Sequence, residues 1–174
     1  EVSGVIQEGE KKGKEVVLNP LITCGECEYC NNEIEHLCPK RVLLGMNRPV
    51  ERQGCFAEMV LTPDKNIYEL PKGLNIKQAP IAEPTAVSVH AVEIGIANLK
   101  KPLDQCNVLI IGGGAIGLLC ALILEKEKKC KDISLSEPNT KRLNVCKNNL
   151  NSNCINPLNK KIDQNSYDIV FDTV

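Results

Sequence analysis

The sequence predicts an α/β protein in which a β-rich N-terminal region is followed by part of a doubly wound parallel sheet. Short apolar runs separated by Gly, Pro and Asn occupy residues 1–80, which is the pattern of strands joined by turns. From residue 107 onwards, strand patterns alternate with helical ones, which indicates βαβ units. Four cysteines within fifteen residues add a small lobe that a metal ion would hold together.

The N-terminal region combines strand patterns with one cysteine-rich insertion. The predicted strands cover residues 2–6, 15–18, 56–61 and 66–70. Turn residues separate them, among them Pro63-Asp64 and Pro71-Lys72-Gly73. The cysteine-rich segment, residues 24–39, is too short and polar to form a core of its own. We therefore predict a β-rich domain over residues 1–82 that carries a lobe at 24–39.

The C-terminal region begins with a helix and continues as βαβ units. Val87, Ala91 and Ile94 recur at helical spacing, and Pro84 suits the first turn. We predict three helices, one over residues 83–98, one from the glycines to about 128, and one that begins near 139. The predicted strands cover residues 107–111, 132–135, 154–155 and 168–171. Four strands are fewer than the roughly six of a complete doubly wound sheet. We therefore expect an excerpt of a longer two-domain protein, in which residues 83–174 form a linking helix and part of the second domain.

Composition argues against a nucleic-acid or membrane partner. The net charge is −1, aromatic residues are only 3% and Trp is absent, so neither a basic field nor a base-stacking surface is expected. The most apolar run, 108–124, contains four glycines and suits a turn better than a membrane span. Ten cysteines, four clustered and six scattered, are typical of a reducing cytoplasm with one metal site.

The cysteine cluster has the spacing Cys24-x2-Cys27-x2-Cys30-x7-Cys38. Four thiolates suit a tetrahedral Zn²⁺ and leave no open position for water or substrate, so the predicted site is structural. The alternative is an iron–sulfur cluster. Bacterial ferredoxins use three similarly spaced cysteines and a fourth that is followed by proline, and here Cys38 is followed by Pro39. The last spacing of seven residues does not match that pattern and favours zinc.

A glycine-rich turn, Gly112-Gly113-Gly114-Ala115-Ile116-Gly117, lies between an apolar strand pattern and an apolar-faced helix. In the dinucleotide-binding fingerprint of Rossmann sheets, Gly112 would allow the turn, Gly114 the close approach of a pyrophosphate, and Gly117 tight packing of helix on strand. The phosphates would bind amides at the start of the helix. This context predicts a dinucleotide-binding site.

Glu137 lies 20 residues beyond the last glycine of this turn, at the end of the second predicted strand. A carboxylate there can accept both ribose hydroxyls and would repel a 2′-phosphate, which favours NAD over NADP. Lys141 and Arg142 lie close by and weaken the argument against NADP. The alternative interpretation of Glu137 is a solvated turn residue.

The order of these motifs resembles that of the zinc-containing medium-chain dehydrogenase/reductase family, in particular its polyol branch, typified by sorbitol dehydrogenase. The matching segments also include Glu1-Val2-Ser3-Gly4-Val5-Ile6, Gly54-Cys55-Phe56-Ala57-Glu58 and Glu83-Pro84-Thr85-Ala86-Val87. Cys55 replaces a usual glycine, and Ala115 stands where proline is frequent. The cysteine and histidine of the family's catalytic zinc would precede Glu1.

The resemblance implies a fold and a set of site residues. The β-rich region would be a partial GroES-like catalytic domain with a structural zinc lobe, and the second region a partial NAD-binding Rossmann domain. Glu1 and Glu83 would lie at the catalytic zinc, as ligands or beside its ligands. Ile116 would lie against the cofactor, while Glu137 and Arg142 would hold the adenosine ribose.

The resemblance also implies an activity. The whole protein would be a cytoplasmic, homo-oligomeric oxidoreductase that transfers a hydride from a polyol or other secondary alcohol to NAD and gives a ketone or ketose. The zinc would stabilise the alkoxide of this small-molecule substrate as a Lewis acid. Two alternatives remain open: a non-catalytic, zinc-stabilised nucleotide-binding module, and an iron–sulfur electron carrier. The segment alone is expected to be inactive.

Overall fold

The N-terminal strands form two small antiparallel sheets in the computed structural model, which describes residues 1–46, 51–163 and 165–174. The strands are β1 (Ser3–Val5), β2 (Glu15–Leu18), β3 (Leu21–Ile22), β4 (Val42–Leu43) and β5 (Ile67–Glu69). One sheet has the order β1-β2-β5, and β3 pairs with β4. The buried Val16 lies opposite Gly4 on one side and Glu69 on the other, at the centre of the larger sheet.

The cysteine-rich lobe connects β3 to β4 through two very short helices, α1 (Glu28–Asn31) and a 3₁₀ turn at Glu35–Leu37. Among residues 24–39, Cys38 alone is buried. The lobe therefore has no apolar core, as its composition predicts, and its shape depends on whatever links the cysteines.

The strand predictions for this region are confirmed at three places and wrong at one. The strands over 15–18, 2–6 and 66–70 are present, the last two trimmed by a residue at each end. Residues 56–61 form no strand, and Phe56, Met59 and Leu61 are largely exposed. A strand needs a neighbouring backbone edge as well as apolar residues, and no strand of the described residues pairs with this segment.

The C-terminal region is a four-stranded parallel sheet with helices between its strands. Its elements are α2 (Ala82–Ala97), β6 (Asn107–Ile111), α3 (Ala115–Leu122), a π-helical turn (Ile123–Glu127), β7 (Asp132–Ser136), α4 (Thr140–Asn149), β8 (Asn153–Ile155) and β9 (Ile169–Asp172). The sheet order is β8-β7-β6-β9, and all pairs are parallel. This arrangement confirms the predicted Rossmann-type sheet.

The strand order reverses between β6 and β9. The chain runs outward from β6 to β8 and then returns to the other side of β6. In open α/β sheets, ligands bind beyond the carboxyl ends of the strands at such a switch point. The glycine-rich turn begins where β6 ends, so the topology places it at this position.

The core of the sheet comes from apolar runs that are buried on both faces. Val108 and Ile110 of β6, Leu135 of β7 and Leu124 of the π turn are fully buried. A parallel strand covered on both faces has a continuous apolar sequence, as β6 does.

The chain forms two compact units, Glu1–Glu83 and Pro84–Val174. In the described part of the chain, every helix is too short or too polar to cross a bilayer.

Glu125 connects the π turn to the segment after α4. Its carboxylate accepts hydrogen bonds from the Ser152 hydroxyl at 2.7 Å, the Asn151 N–H at 2.9 Å and the Ser152 N–H at 3.1 Å, and it pairs with Lys126. Burial alone would raise the pKa of Glu125, but these partners lower it to about 2.

We expect Glu125→Gln to lower the free energy of unfolding at pH 7 by about 1–3 kcal/mol, because the charged acceptor of several hydrogen bonds is lost. The pKa of Glu125 is lower in the folded chain than its ordinary value of 4.5. Its stabilisation is therefore present above that ordinary value and is lost as the pH falls from 4.5 towards about 2. Denaturant unfolding at several pH values tests this, with the exposed neighbour Glu127→Gln as control. Equal stability of the two variants at pH 7 would contradict it.

Candidate functional site

The four predicted ligand cysteines lie together in the cysteine-rich lobe. Cys24 follows β3, Cys27 precedes α1, Cys30 lies within α1, and Cys38 follows the 3₁₀ turn. Gly25 has a positive φ of 74°, which glycine adopts without strain and which lets the chain turn between the first two cysteines.

The sulfur geometry fits a single tetrahedral metal ion. The Sγ–Sγ distances are 3.5 Å for Cys27–Cys30, 3.6 Å for Cys24–Cys38 and 3.9 Å for Cys24–Cys30, and all four sulfurs lie within 4.8 Å of one another. Zn–S bonds of about 2.3 Å in a tetrahedron imply sulfur separations of about 3.8 Å. An iron–sulfur cluster holds several atoms between its thiolates and needs a wider spacing, so the residues present fit zinc.

Two of these thiols differ in acidity for identifiable reasons. A hydrogen bond from the Glu26 N–H is the main cause that lowers the pKa of Cys24 to about 6, with help from Cys27 and Cys38. The Cys30 N–H acts to lower the pKa of Cys27, but desolvation and the neighbouring thiols raise it to about 11. The lowered pKa of Cys24 favours its thiolate, the form that binds metal.

Three glycines determine the shape of the glycine-rich turn, one through its positive φ, one through a close contact and one through the free space beside it. Gly112 has a φ of +99°, so a side chain there would be strained. A Cβ on Gly117 would lie 2.0 Å from the Gly112 carbonyl oxygen, which no side chain can tolerate. A Cβ on Gly114 would have nothing within 4 Å. The start of α3 is thus packed tightly against the end of β6, while the space beside Gly114 is free for a ligand.

Glu137 lies beside this turn and is only 3% exposed. Its Oε2 accepts a hydrogen bond from the Gly113 N–H at 2.8 Å, and its Oε1 accepts one from the Asn139 N–H at 2.6 Å. The interpretation of Glu137 as a solvated turn residue is therefore wrong. Each carboxylate oxygen can still accept a further hydrogen bond, because a carboxylate offers about four lone-pair sites.

Two further predicted residues lie on the flanking helices. Ile116 is the second residue of α3 and is partly buried against the core of the sheet. Arg142 is exposed in the first turn of α4, where its N–H donates to the capping side chain of Asn139. The first amides of α3 have no partners within the helix. A pyrophosphate beside Gly114 would bind these amides, so the turn fits a dinucleotide.

Sequence reasoning missed two side chains that contact the turn. The Cys146 thiol donates to the Gly113 carbonyl at 3.7 Å, and the Thr173 hydroxyl donates to the Ile111 carbonyl at 2.8 Å. The sequence does contain a signal for Cys146, because Leu143, Cys146 and Leu150 are spaced as the buried face of α4. Thr173 follows an apolar strand pattern, and no sequence pattern singles it out.

Glu1 and Glu83, the two residues predicted to lie at a catalytic zinc, do not belong to the four-cysteine cluster. Glu1 is exposed and lines a pocket of about 340 Å³ together with Leu44, Gly54, Cys55 and Phe56. Glu83 is partly buried in the first turn of α2. The four-cysteine cluster is the one group of three or more metal-ligating side chains in the described residues. A second metal centre at Glu1 or Glu83 is therefore not assembled within them.

Comparison with known proteins finds that the chain is similar to dehydrogenases. A family model described as the alcohol dehydrogenase GroES-like domain matches residues 1–72. The chain is 31% identical over 148 residues to 2-dehydro-3-deoxy-L-galactonate 5-dehydrogenase of Pseudoalteromonas atlantica, covering 82% of this chain and 40% of that protein. It is 32% identical over 165 residues to L-threonine 3-dehydrogenase of Escherichia coli O1:K1, covering 87% and 45% respectively.

The fold is also found among solved structures. The alcohol dehydrogenase TADH from Thermus sp. ATN1 matches with a TM-score of 0.81 at 23% identity, covering 99% of this chain and 53% of that one. The chain spans less than half the length of the two curated relatives.

We expect Cys27→Ser to abolish zinc binding by the cysteine-rich lobe and to lower the melting temperature, because a lobe without an apolar core then loses the metal ion that holds it together. Zinc content should fall by about one equivalent per chain. Metal analysis by mass spectrometry and thermal melting measure the two effects. Cys55→Ser is the matched control, since this thiol belongs to the same unit but not to the cluster. Full retention of zinc in Cys27→Ser would refute the assignment.

Proposed function

We propose that the whole protein is an NAD-dependent alcohol dehydrogenase, on the premise that the chain belongs to the zinc-containing medium-chain dehydrogenase/reductase family. It would transfer a hydride from a polyol or other secondary alcohol to NAD and release a ketone or ketose. NAD, when bound, supplies the hydride acceptor. The observation that carries the proposal is the glycine-rich turn at the switch point of the sheet, with Glu137 beside it.

The nucleotide would bind along the C-terminal edge of the sheet. The pyrophosphate would lie beside Gly114, where the structure leaves open space, and the first amides of α3 would donate to it. Ile116 would lie against the cofactor. Gly112 and Gly117 would not touch the ligand but would set the shape of the turn that receives it.

Preference for NAD over NADP would come from Glu137. Its carboxylate oxygens each hold one backbone N–H and retain capacity for the ribose hydroxyls. A 2′-phosphate at the same place would meet a buried negative charge at close range, which is unfavourable. Arg142 would contact the adenosine ribose from the exposed first turn of α4.

A secondary alcohol is the substrate class that the relatives' names support. One relative is named for dehydrogenation at carbon 5 of a sugar acid and the other at carbon 3 of threonine. The alcohol would enter beside Glu1, in the pocket that Cys55 and Phe56 also line. Glu1 and Glu83 would adjoin a catalytic zinc. The described residues do not assemble the ligands of that zinc.

The cysteine-rich lobe would have a structural role in this enzyme. Its four thiolates would occupy every position of a tetrahedral zinc, which leaves none for an alcohol. We also propose a cytoplasmic, homo-oligomeric protein. None of the ten cysteines forms a disulfide, which is consistent with a reducing compartment.

The activity is tested with the intact protein by following NADH formation in the presence of polyols such as sorbitol and of secondary alcohols such as butanediol. We expect turnover with NAD and weaker activity with NADP. Binding of NADH without oxidation of any alcohol would instead support a non-catalytic nucleotide-binding module. Absence of NADH binding would refute the proposal. A colourless protein would exclude an iron–sulfur carrier.

Two alanine substitutions in the glycine-rich turn should separate binding from folding. Gly117→Ala forces a Cβ into the Gly112 carbonyl and should lower the free energy of unfolding by about 2–3 kcal/mol, as overpacking does. Gly114→Ala places its Cβ in open space and should leave stability nearly unchanged. It should raise the Kd for NADH at least tenfold, because the methyl group occupies the path of the pyrophosphate. Denaturant unfolding and NADH titration measure the two effects; tight NADH binding by Gly114→Ala would contradict the placement.

A further inference from the structure

Three successive peptide groups at the start of the glycine-rich turn form hydrogen bonds with the side chains and strands around them. In the first peptide, the Ile111 carbonyl accepts from the Thr173 N–H at 2.9 Å and from the Thr173 hydroxyl at 2.8 Å. The N–H of the same peptide, on Gly112, donates to the Ser136 carbonyl at 2.8 Å. Both polar atoms of this peptide therefore have fixed partners.

The second peptide is held in the same way. Its N–H, on Gly113, donates to Glu137 Oε2 at 2.8 Å, and its carbonyl, on Gly112, accepts from the Thr173 hydroxyl at 3.3 Å. The single hydroxyl proton of Thr173 is thus shared between two successive carbonyl groups, that of Ile111 at the end of β6 and, at the longer distance, that of Gly112.

The third peptide has a fixed carbonyl group. The Gly113 carbonyl accepts from the thiol of Cys146 at 3.7 Å, and Cys146 is fully buried in α4. Burial raises the pKa of Cys146, which keeps its proton in place for this contact. A Cβ on Gly113 would lie 3.0 Å from the same sulfur, so the thiol packs directly against the backbone.

The orientation of this third carbonyl determines the direction of the next amide. The Gly113 carbonyl and the Gly114 N–H belong to one planar trans peptide, in which the C=O and N–H bonds point in opposite directions. The carbonyl points to the buried thiol, so the N–H points away from it. The Cα of Gly114 also faces free space, since a Cβ built there would have no atom within 4 Å.

We propose that Cys146 and Thr173 are positioning residues for nucleotide binding, which orient the peptides of the glycine-rich turn so that the Gly114 N–H is ready to donate to the pyrophosphate. This inference rests on the proposed function. Neither side chain would touch the reacting atoms. Their effect is to fix the turn before the ligand arrives, so that binding does not have to order it.

The proposal is tested with two pairs of variants of the intact protein. Cys146→Ala removes one contact, and Cys130→Ala is its matched control, because Cys130 is also buried in the core of the sheet but donates to Leu103 instead. Thr173→Val removes the hydroxyl while keeping the size of the side chain, and Thr173→Ser restores the hydroxyl. The Kd for NADH is measured by fluorescence titration, and thermal melting is measured in parallel.

We expect Cys146→Ala and Thr173→Val each to raise the Kd for NADH at least fivefold, with the KM for the alcohol changed less than twofold. Thr173→Ser should recover most of the affinity. Cys130→Ala should lower the melting temperature about as much as Cys146→Ala but bind NADH within twofold of the unsubstituted protein.

Unchanged NADH affinity in both Cys146→Ala and Thr173→Val would overturn the inference. An equal loss of affinity in Cys130→Ala would also overturn it, because the effect would then be general destabilisation. If the unsubstituted protein does not bind NADH, the proposed function itself fails, and this outcome is distinct from the other two.

Discussion

The close approach between Gly117 and the Gly112 carbonyl is the constraint on which the nucleotide half of the chain depends. With no side chain at position 117, α3 can begin directly against the end of β6. This brings the helix N-terminus to the place where the strand order of the sheet reverses. Glu137, Cys146 and Thr173 then reach the same turn from three different parts of the unit. A larger residue at 117 would separate α3 from β6 and move the turn away from these three side chains.

The two units of the chain are stabilised in different ways. The sheet of the C-terminal unit is held by side chains buried on both of its faces, with Val108, Ile110 and Leu135 at its centre. The cysteine-rich lobe in the N-terminal unit buries almost nothing and relies on the convergence of four sulfur atoms. A short polar segment can keep a defined shape in this manner, because a metal ion replaces the apolar area that such a segment lacks.

Much of this structure could be predicted from the sequence, because the informative patterns are local. The structure confirms the strand predicted over 107–111 and the helix predicted after the glycines. It also confirms a helix start near residue 139, because the side chain of Asn139 caps α4. The spacing of the cysteines was enough to infer one cluster. The strand predicted over 56–61 is wrong, because apolar composition does not reveal whether a pairing edge is available. The contacts of Cys146 and Thr173 with the turn depend on tertiary packing, because the spacing of Leu143, Cys146 and Leu150 predicts only that Cys146 is buried. The sequence predicts that Glu137 faces a ribose, but its hydrogen bonds to two backbone amides depend on tertiary structure and have no local sequence signal.

The near absence of buried side chains in the cysteine-rich lobe ties the maturation of the protein to metal supply. A newly synthesised chain in a zinc-starved cell would carry a loose, thiol-bearing loop while its parallel sheet could still fold. Such a loop would be open to proteases and to oxidation of its four thiols. The cellular abundance of the protein would then follow zinc supply through the folding of this lobe alone.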